Sequence, residues 1–102
     1  MPFYIYILYS ETADKYYTGF SKDPWKRLME HNSSQDATYT SKFRPWFLKA
    51  VFYVSEIEND AVKIERFLKK QKSRTLLENL INPHFQPVGR LAQLVRVPHV
   101  RD

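Results

Sequence analysis

The 102-residue sequence contains no cysteine, only two glycines and no long apolar run. The lack of cysteine excludes disulfide frameworks, thiolate metal sites and cysteine nucleophiles. The longest apolar run, Phe3 to Tyr9, is far shorter than the roughly 20 residues that a membrane-spanning helix needs. No charged segment followed by an apolar stretch resembles a signal peptide. We therefore expect a cytoplasmic protein with no membrane partner.

Aromatic and basic residues are what the sequence does contain. A composition of 43% hydrophobic and 16% aromatic residues argues against disorder and fits a small domain with one modest core. The net charge of +5 suits an acidic partner such as nucleic acid, although a merely basic soluble protein has the same balance. One basic cluster comprises Lys63, Arg66, Lys69, Lys70, Lys72 and Arg74.

Three segments have the composition of β-strands. Residues 3–9 are rich in aromatic and β-branched side chains, which predicts a strand buried on both faces. Residues 15–20 predict a second strand that forms an antiparallel hairpin with the first. Gly19 lies inside this second pattern and indicates a bulge or a close backbone approach. Residues 46–55 predict a third strand, after an irregular connection over residues 39–45.

Two helices follow from capping and periodicity, with a third, short one over residues 75–80. Asp23 and Pro24 are typical of a helix start. Its predicted apolar face is Trp25, Leu28 and Met29, and a polar loop is predicted over residues 32–36. The second helix carries an apolar face of Ile57, Ala61, Ile64 and Leu68. The order β-β-α-β-α predicts an α+β fold with a three-stranded antiparallel sheet flanked by helices.

Residues 83–102 differ in character from the rest and are predicted to be an appended, flexible tail, leaving a domain over residues 1–82. By the genetic code, Gly89 to Val95 can be written with nucleotides that resemble the D-arm region of a transfer RNA gene. One hypothesis is therefore that the reading frame runs into such a gene. The nucleotide sequence tests it, since codons unlike a D-arm would exclude it. An ordinary flexible terminus is the alternative.

Short motifs in the predicted elements point to a known family. Tyr4-Ile5-Tyr6 and Tyr17-Thr18-Gly19 lie on the first two strands, residues 26–32 on the first helix and residues 61–65 on the second. With this order and spacing the chain resembles the GIY-YIG nuclease family, especially its small single-domain bacterial members of the excinuclease-like, UPF0213 type. Tyr4 stands for the first motif's glycine and Thr18 for the second motif's isoleucine.

The resemblance implies roles for five residues. Tyr6 would be the general base or would position the attacking water, aided by a cation such as Arg27, Lys22 or a metal ion. Tyr17 would orient the same water or bind the phosphate. Arg27 would neutralise charge on the phosphate, and His31, one helical turn later, would hydrogen-bond the nucleophile or shuttle a proton. Glu65 would ligate one Mg²⁺ or Mn²⁺, although an ion pair with Lys69 competes for its carboxylate.

The implied activity is metal-dependent endonucleolytic hydrolysis of phosphodiester bonds in DNA, in branched, damaged or single-stranded form, with RNA as another possible substrate. A monomer is the simplest state. Candidate nucleic-acid contacts are Lys22, Lys26, Tyr39, Lys42, Arg44 and Lys69. Two alternatives stay open: a non-catalytic nucleic-acid-binding module of the same fold, and a subunit that is active only in an assembly. The sequence indicates neither the substrate structure nor the biological process.

Overall fold

A computed structural model of the chain describes residues 1–35 and 39–99. The end of the predicted polar loop and the last residues of the predicted tail lie outside this range. The strands are β1 (Phe3–Ser10), β2 (Lys15–Ser21), β3 (Trp46–Ser55) and β4 (Val95–Val97). The helices are α1 (Pro24–Ser33), α2 (Glu58–Gln71) and α3 (Arg74–Ile81), and short 3-10 helices cover Thr40–Phe43 and Gly89–Gln93.

The α+β class with an antiparallel sheet is confirmed, but the predicted number of strands is wrong. Within the described residues the sheet has four strands in the order β2-β1-β3-β4. The predicted hairpin is the antiparallel β1–β2 pair, and β3 is antiparallel to β1 on its other side. The fourth strand comes from the segment predicted to be a tail. It was missed because it is three residues long and carries no extended alternating pattern.

Residues after α3 are held against the rest of the fold. β4 pairs antiparallel with β3, where Arg96 faces Phe52. The Arg96 guanidinium donates hydrogen bonds to the Leu80 carbonyl, at 2.8 Å, and to the Asn82 carbonyl, at 3.0 Å. Leu91 and Leu94 are buried in the core. The predicted domain boundary at residue 82 stays a prediction, but residues 89–97 contribute to the sheet and the core.

Helices cover both faces of the sheet. On one face α2 and α3 bury Ala61, Ile64, Leu68 and Leu80 against β1 and β3. On the other face Trp25 and Leu28 of α1 pack against a cluster that contains Tyr6, Leu8 and Trp46. Two predicted core residues are instead exposed: Met29 points away from the sheet, and Ile57 precedes α2 as its N-cap residue. No helix among the described residues is long and apolar enough to cross a membrane.

Local sequence explains where α1 begins and how its far end is anchored. The Asp23 side chain accepts a hydrogen bond from the Lys26 amide, and Pro24 occupies the first helical turn, where its missing N–H costs nothing. At the other end, Asn32 exchanges two hydrogen bonds with the backbone of Trp46, at 2.6 and 3.0 Å. These contacts fix the last turn of α1 beside the start of β3.

Candidate active site

Tyr6 lies at the centre of the α1 side of the sheet, opposite Gly19. The register of β1 and β2 pairs these two residues directly. A Cβ atom at position 19 would overlap the hydroxyl group and ring of Tyr6. Glycine is therefore required here for close approach, as its position in the strand pattern indicated. The Tyr6 ring crosses β2 at this point and is 1% exposed.

A buried hydrogen-bonded chain extends from Tyr6 through His31 to Thr40. The Tyr6 hydroxyl lies 2.9 Å from His31 Nε2, and His31 Nδ1 lies 2.9 Å from Thr40 Oγ1. Position 31 is in the last turn of α1, and Thr40 begins the 3-10 helix that follows. Sequence analysis identified Tyr6 and His31 but missed Thr40, because a single hydroxyl in an irregular connection carries no periodic signal.

Tyr17 closes the site on the side of β2. Its ring centroid lies 5.0 Å from that of His31 and 6.5 Å from that of Tyr6. Its outer side stacks on Tyr39 with a centroid distance of 6.4 Å, and Lys69 Nζ lies 5.2 Å from the ring centre. Tyr17 is half-buried, so it forms the boundary between the buried chain and the surface.

Burial keeps the two central groups uncharged. It raises the pKa of Tyr6 to about 12, a shift to which Tyr17 adds and which Arg27 opposes. It also lowers the pKa of His31 to about 4, with a further contribution from the positive charge of Arg27. At neutral pH the site therefore contains a phenol and a neutral imidazole. The role of Tyr6 as a general base stays a prediction, and at its raised pKa the phenol needs a partner to take its proton.

Arg27 brings a positive charge to the edge of this chain. Its guanidinium donates a 2.9 Å hydrogen bond to Glu30 Oε1, and this contact raises the pKa of Arg27 and lowers that of Glu30. The positive charge of Arg27 also opposes the rise in the pKa of Tyr6. About two-fifths of the Arg27 side chain is exposed, at 42%, so an incoming anion can reach it.

Glu65 reaches the same region from α2. Its carboxylate lies 3.4 Å from Lys69 Nζ, which makes the predicted intrahelical pair, and its side chain is 18% exposed. Its negative charge contributes to the raised pKa of Tyr6, and Nζ of its partner Lys69 lies 5.2 Å from the centre of the Tyr17 ring. Among residues 1–35 and 39–99 no group of three or more potential metal ligands occurs. One carboxylate fits a Mg²⁺ or Mn²⁺ ion that keeps most of its water ligands.

Two open cavities meet at Tyr17 and Tyr39. One has a volume of about 570 Å³ and is lined by Arg27, Glu30 and His31 together with the end of α1. The other, of about 540 Å³, lies towards α2 and α3 and is lined by basic residues. Its basic lining comprises Lys15, Lys69, Lys72 and Arg74. A polymer could pass from one cavity to the other across the two tyrosine rings.

The six predicted nucleic-acid contacts are placed unequally around these cavities. Tyr39 lines both, and Lys69 lines the second. Lys26 is exposed on α1 near Glu30, and Lys42 is exposed on the 3-10 helix. Lys22 lies apart from them, 5.7 Å from the Phe3 ring on the other face of the sheet.

Arg44 has a structural task that its sequence context did not reveal. It donates hydrogen bonds of 2.6 Å to the carbonyls of both His31 and Ser34. These contacts tie the 3-10 helix to the end of α1. Because both bonds use its guanidinium, Arg44 supports the end of α1 that carries His31. Its predicted contact to nucleic acid stays a prediction.

Comparison with known proteins identifies a matching family and similar chains. The model of the GIY-YIG catalytic domain matches residues 2–82. A UPF0213 protein of Pediococcus acidilactici, encoded in the ldhD 5' region, is 39% identical over 84 residues, which cover 78% of this chain and 82% of the relative. A UPF0213 protein of Streptococcus pyogenes serotype M5 is 38% identical over 74 residues, covering 71% and 76%.

One solved structure is also similar in sequence. The solution NMR structure of a UPF0213 protein from Bacillus halodurans has 31% identity and a TM-score of 0.48, covering 85% of this chain and 89% of that one. The family match and the curated relatives lead to one conclusion. The chain belongs to the GIY-YIG catalytic domain family, a nuclease family, and is a small member of the UPF0213 type.

Proposed function

We propose that this protein is a divalent-metal-dependent endonuclease that hydrolyses phosphodiester bonds in DNA. The observation that carries the proposal is the buried hydrogen bond between Tyr6 and His31, in which His31 lines the same cavity as Arg27. A buried acid–base pair beside an accessible cation, at the wall of an open cavity, suits the activation of water next to a phosphate.

Water activation would use Tyr6 and His31 as a relay. The attacking water gives a proton to the Tyr6 hydroxyl oxygen while the phenol proton passes to His31 Nε2. The new P–O bond forms as the bond to the leaving oxygen of the scissile phosphate breaks. The low pKa of His31, about 4, means that the imidazolium releases this proton readily, so the leaving oxygen can recover it through the same path or from solvent.

Arg27 would bind a non-bridging oxygen of the scissile phosphate. Its present partner, Glu30, offers the kind of charged oxygen that a phosphate would offer. A planar guanidinium can exchange one such oxygen for another with little rearrangement. Charge that develops on the phosphate in the transition state would then be neutralised at the boundary of the cavity.

Glu65 would hold one Mg²⁺ or Mn²⁺ ion. Such an ion, when bound, supplies positive charge that stabilises the leaving oxygen. The carboxylate would have to exchange its contact with Lys69, 3.4 Å away, for the ion. Lys69 would then be available to the phosphate backbone.

The cavity beyond Tyr17 would receive the strand next to the scissile phosphate. Lys15, Lys69 and Lys72 line it, and the exposed Tyr39 ring offers a stacking surface for a base. This favours single-stranded, branched or damaged DNA, in which bases are accessible, and RNA of the same form would fit as well. Lys26 and Lys42, both exposed, would contact the backbone at the cavity margins.

A non-catalytic nucleic-acid-binding module is the second candidate. It is favoured by the Glu65–Lys69 ion pair, which occupies the one carboxylate assigned to the metal. In this candidate the same basic cavities bind nucleic acid without turnover.

The two candidates are separated by cleavage assays on single-stranded, duplex and branched DNA with Mg²⁺ or Mn²⁺. The enzyme predicts that Tyr6→Phe and Glu65→Gln each lower the rate by at least a hundredfold with little change in binding. Glu58→Gln is the matched control, because Glu58 is an exposed carboxylate on the same helix. A wild-type protein that binds all three forms but cleaves none supports the binding module.

A further inference from the structure

We infer that Trp25 is a positioning residue through which the β4 strap, residues 95–99, holds helix α1 against the sheet. α1 carries Arg27 and His31, so the strap fixes where these two side chains lie. The consequence for cleavage rests on the proposed function, whereas the contact itself can be measured without any activity. The strap lies beyond residues 2–82, the part of the chain that the GIY-YIG family model matches.

The link between the strap and α1 is a hydrogen bond. The indole Nε1–H of Trp25, in the first turn of α1, donates to the carbonyl of His99 at 2.9 Å. An indole N–H only donates and a carbonyl oxygen only accepts, so the chemistry of the two groups fixes their roles. Trp25 is half-buried, and its ring lies edge-on to that of Tyr4 on β1, with a centroid distance of 6.2 Å. The sheet therefore places the ring whose N–H binds the strap.

The strap is itself anchored to the sheet and to α3. Its first three residues are β4, which pairs antiparallel with β3. The Arg96 guanidinium donates hydrogen bonds to the carbonyls of Leu80 and Asn82 at the end of α3, at 2.8 and 3.0 Å. Directly before the strap, Leu94 is buried in the core. The carbonyl that accepts the indole hydrogen therefore belongs to a segment with a defined position.

The strap brings this anchorage to the face of the sheet that contains Tyr6. Leu94 belongs to the core cluster beneath α2 and α3, whereas Val97 packs against the cluster of Tyr6 on the α1 side. Trp25 packs against the same cluster from α1. The strap and α1 therefore share one packing surface, and Tyr6 is part of it.

Two anchors hold α1, one towards each end. Trp25 binds the strap in the first turn, and Asn32 exchanges two hydrogen bonds with the Trp46 backbone in the last turn. Positions 25 and 32 are two helical turns apart, so the anchors lie on the same face of α1, about 10 Å apart along its axis. Arg27 and His31 lie between them. A helix held at two points on one face cannot roll about its axis without breaking a contact.

Loss of the strap contact would loosen the first turn of α1. The helix has ten residues, too few to be stable in water without tertiary contacts. A roll of α1 would move His31 Nε2 away from the Tyr6 hydroxyl, now 2.9 Å distant, and would shift Arg27 relative to a bound phosphate. Small displacements of reacting groups cost large factors in rate. Binding would change less, because the cavity proposed to receive the strand is lined mainly by β2, α2 and α3.

The experiment compares amide hydrogen exchange in the full chain, in Trp25→Phe, in a chain that ends at Pro98 and in a chain that ends at His99. Trp25→Phe removes the donor but keeps an aromatic ring, and the chain ending at Pro98 lacks the acceptor. In both, amides of α1 should exchange about fivefold faster relative to those of α2 and α3. The chain ending at His99 is the matched control, because it keeps the acceptor oxygen, and it should exchange as the full chain does.

Combining Trp25→Phe with the end at Pro98 tests whether the two groups act through each other. The combined protein should exchange no faster in α1 than either single change, because both remove the same hydrogen bond. Additive effects, equal acceleration in all three helices, or a control that behaves like the chain ending at Pro98 would each overturn the inference. If Trp25→Phe does not fold, the two shortened chains still decide the outcome.

Cleavage kinetics separate this inference from the proposed function. If the protein is a nuclease, both changes should lower kcat about tenfold and alter KM by less than about twofold. A protein that cleaves no DNA but shows the faster exchange in α1 contradicts the proposed function and leaves the contact of Trp25 with the strap intact. An unchanged kcat in a protein that does cleave DNA would overturn the positioning role, because the strap would then support α1 without placing its side chains.

Discussion

Gly19 and Tyr6 face each other across the β1–β2 pair, and the Tyr6 ring fills the space where a side chain at position 19 would lie. The Tyr6 phenol can therefore occupy its position only because residue 19 has no side chain. Other residues at this position would have to displace Tyr6 from His31, and with it the hydrogen bond on which the proposed relay depends.

Replacing Gly19 by alanine should therefore damage stability and activity together. Overpacking against the Tyr6 ring should cost about 1–3 kcal/mol of unfolding free energy, measured by urea denaturation. Cleavage should fall further than stability alone explains, because the phenol is displaced. Gly89→Ala is the control: Gly89 has a φ of 62° and no neighbour within 4 Å of an added Cβ. It should lose about 1 kcal/mol from backbone strain and keep its cleavage rate. Equal activity in both variants would contradict the assigned role of Gly19.

Stability should decrease as the pH falls from about 6.5 to 4. The pKa of His31 is about 4 in the fold, whereas the ordinary histidine value of 6.5 applies to the unfolded chain. The unfolded chain therefore binds the proton more readily in this range. His31 contributes at most about 3 kcal/mol to the free energy of unfolding. This contribution is complete above pH 6.5 and is lost as the pH approaches 4. Urea midpoints at several pH values, with NMR titration of His31, measure it. His31→Gln should lose this part of the pH dependence, and a variant that keeps it would contradict the assignment to His31.

Lys72→Ala should weaken DNA binding and reduce its dependence on salt. Lys72 lines the cavity beside Tyr17 and is exposed. Loss of one phosphate contact should lower the slope of log affinity against log salt by about 1. Lys49→Ala, on an exposed position of β3, should leave the slope unchanged. If the two variants had the same slope of log affinity against log salt, this cavity would be excluded as the path of the DNA backbone.

Tyr39→Ala should weaken binding of single strands more than binding of duplexes. The Tyr39 ring is 51% exposed and stacks on Tyr17, so it can support an unpaired base. Loss of one base–aromatic contact should cost about 1–3 kcal/mol of binding free energy. Fluorescence anisotropy with single-stranded and duplex oligonucleotides of one length measures the difference. An equal loss for both forms would point to displacement of Tyr17 instead of a stacking site.

Leu91→Ala should destabilise the protein even though Leu91 lies outside the matched family domain. Its side chain is 5% exposed in the core beside α2 and α3. Truncation of a buried leucine typically costs 2–5 kcal/mol. Val88→Ala, at a residue 76% exposed, should change stability by less than about 0.5 kcal/mol. Equal urea midpoints for the two variants would mean that residues 89–97 do not contribute to folding.

Local signals were sufficient to predict β1–β3 and the three helices. Asp23 and Pro24 determine the start of α1 through capping, and the periodicity of Ala61, Ile64 and Leu68 determines the buried face of α2. Met29 and Ile57 were assigned wrongly because periodicity identifies apolar residues without showing which of them a neighbour covers.

The sequence predicted less of the candidate site than of the strands and helices. Its five proposed residues came from the family resemblance, and the structure brings them to one region. Thr40 could not be found, since its contact with His31 depends on how a connection folds back on α1. Arg44 was predicted to contact nucleic acid because it lies in a basic, aromatic connection. Its hydrogen bonds to backbone carbonyls at the end of α1 depend on how that connection folds, which the sequence does not show.

β4 also has a consequence for how the molecule behaves towards other copies of itself. It covers the backbone donors and acceptors of β3 from Val51 to Tyr53. A chain cut before Val95 would leave that stretch as an open strand edge next to a buried apolar surface. Such edges pair readily with one another. The short final strand therefore protects the protein from self-association and aggregation.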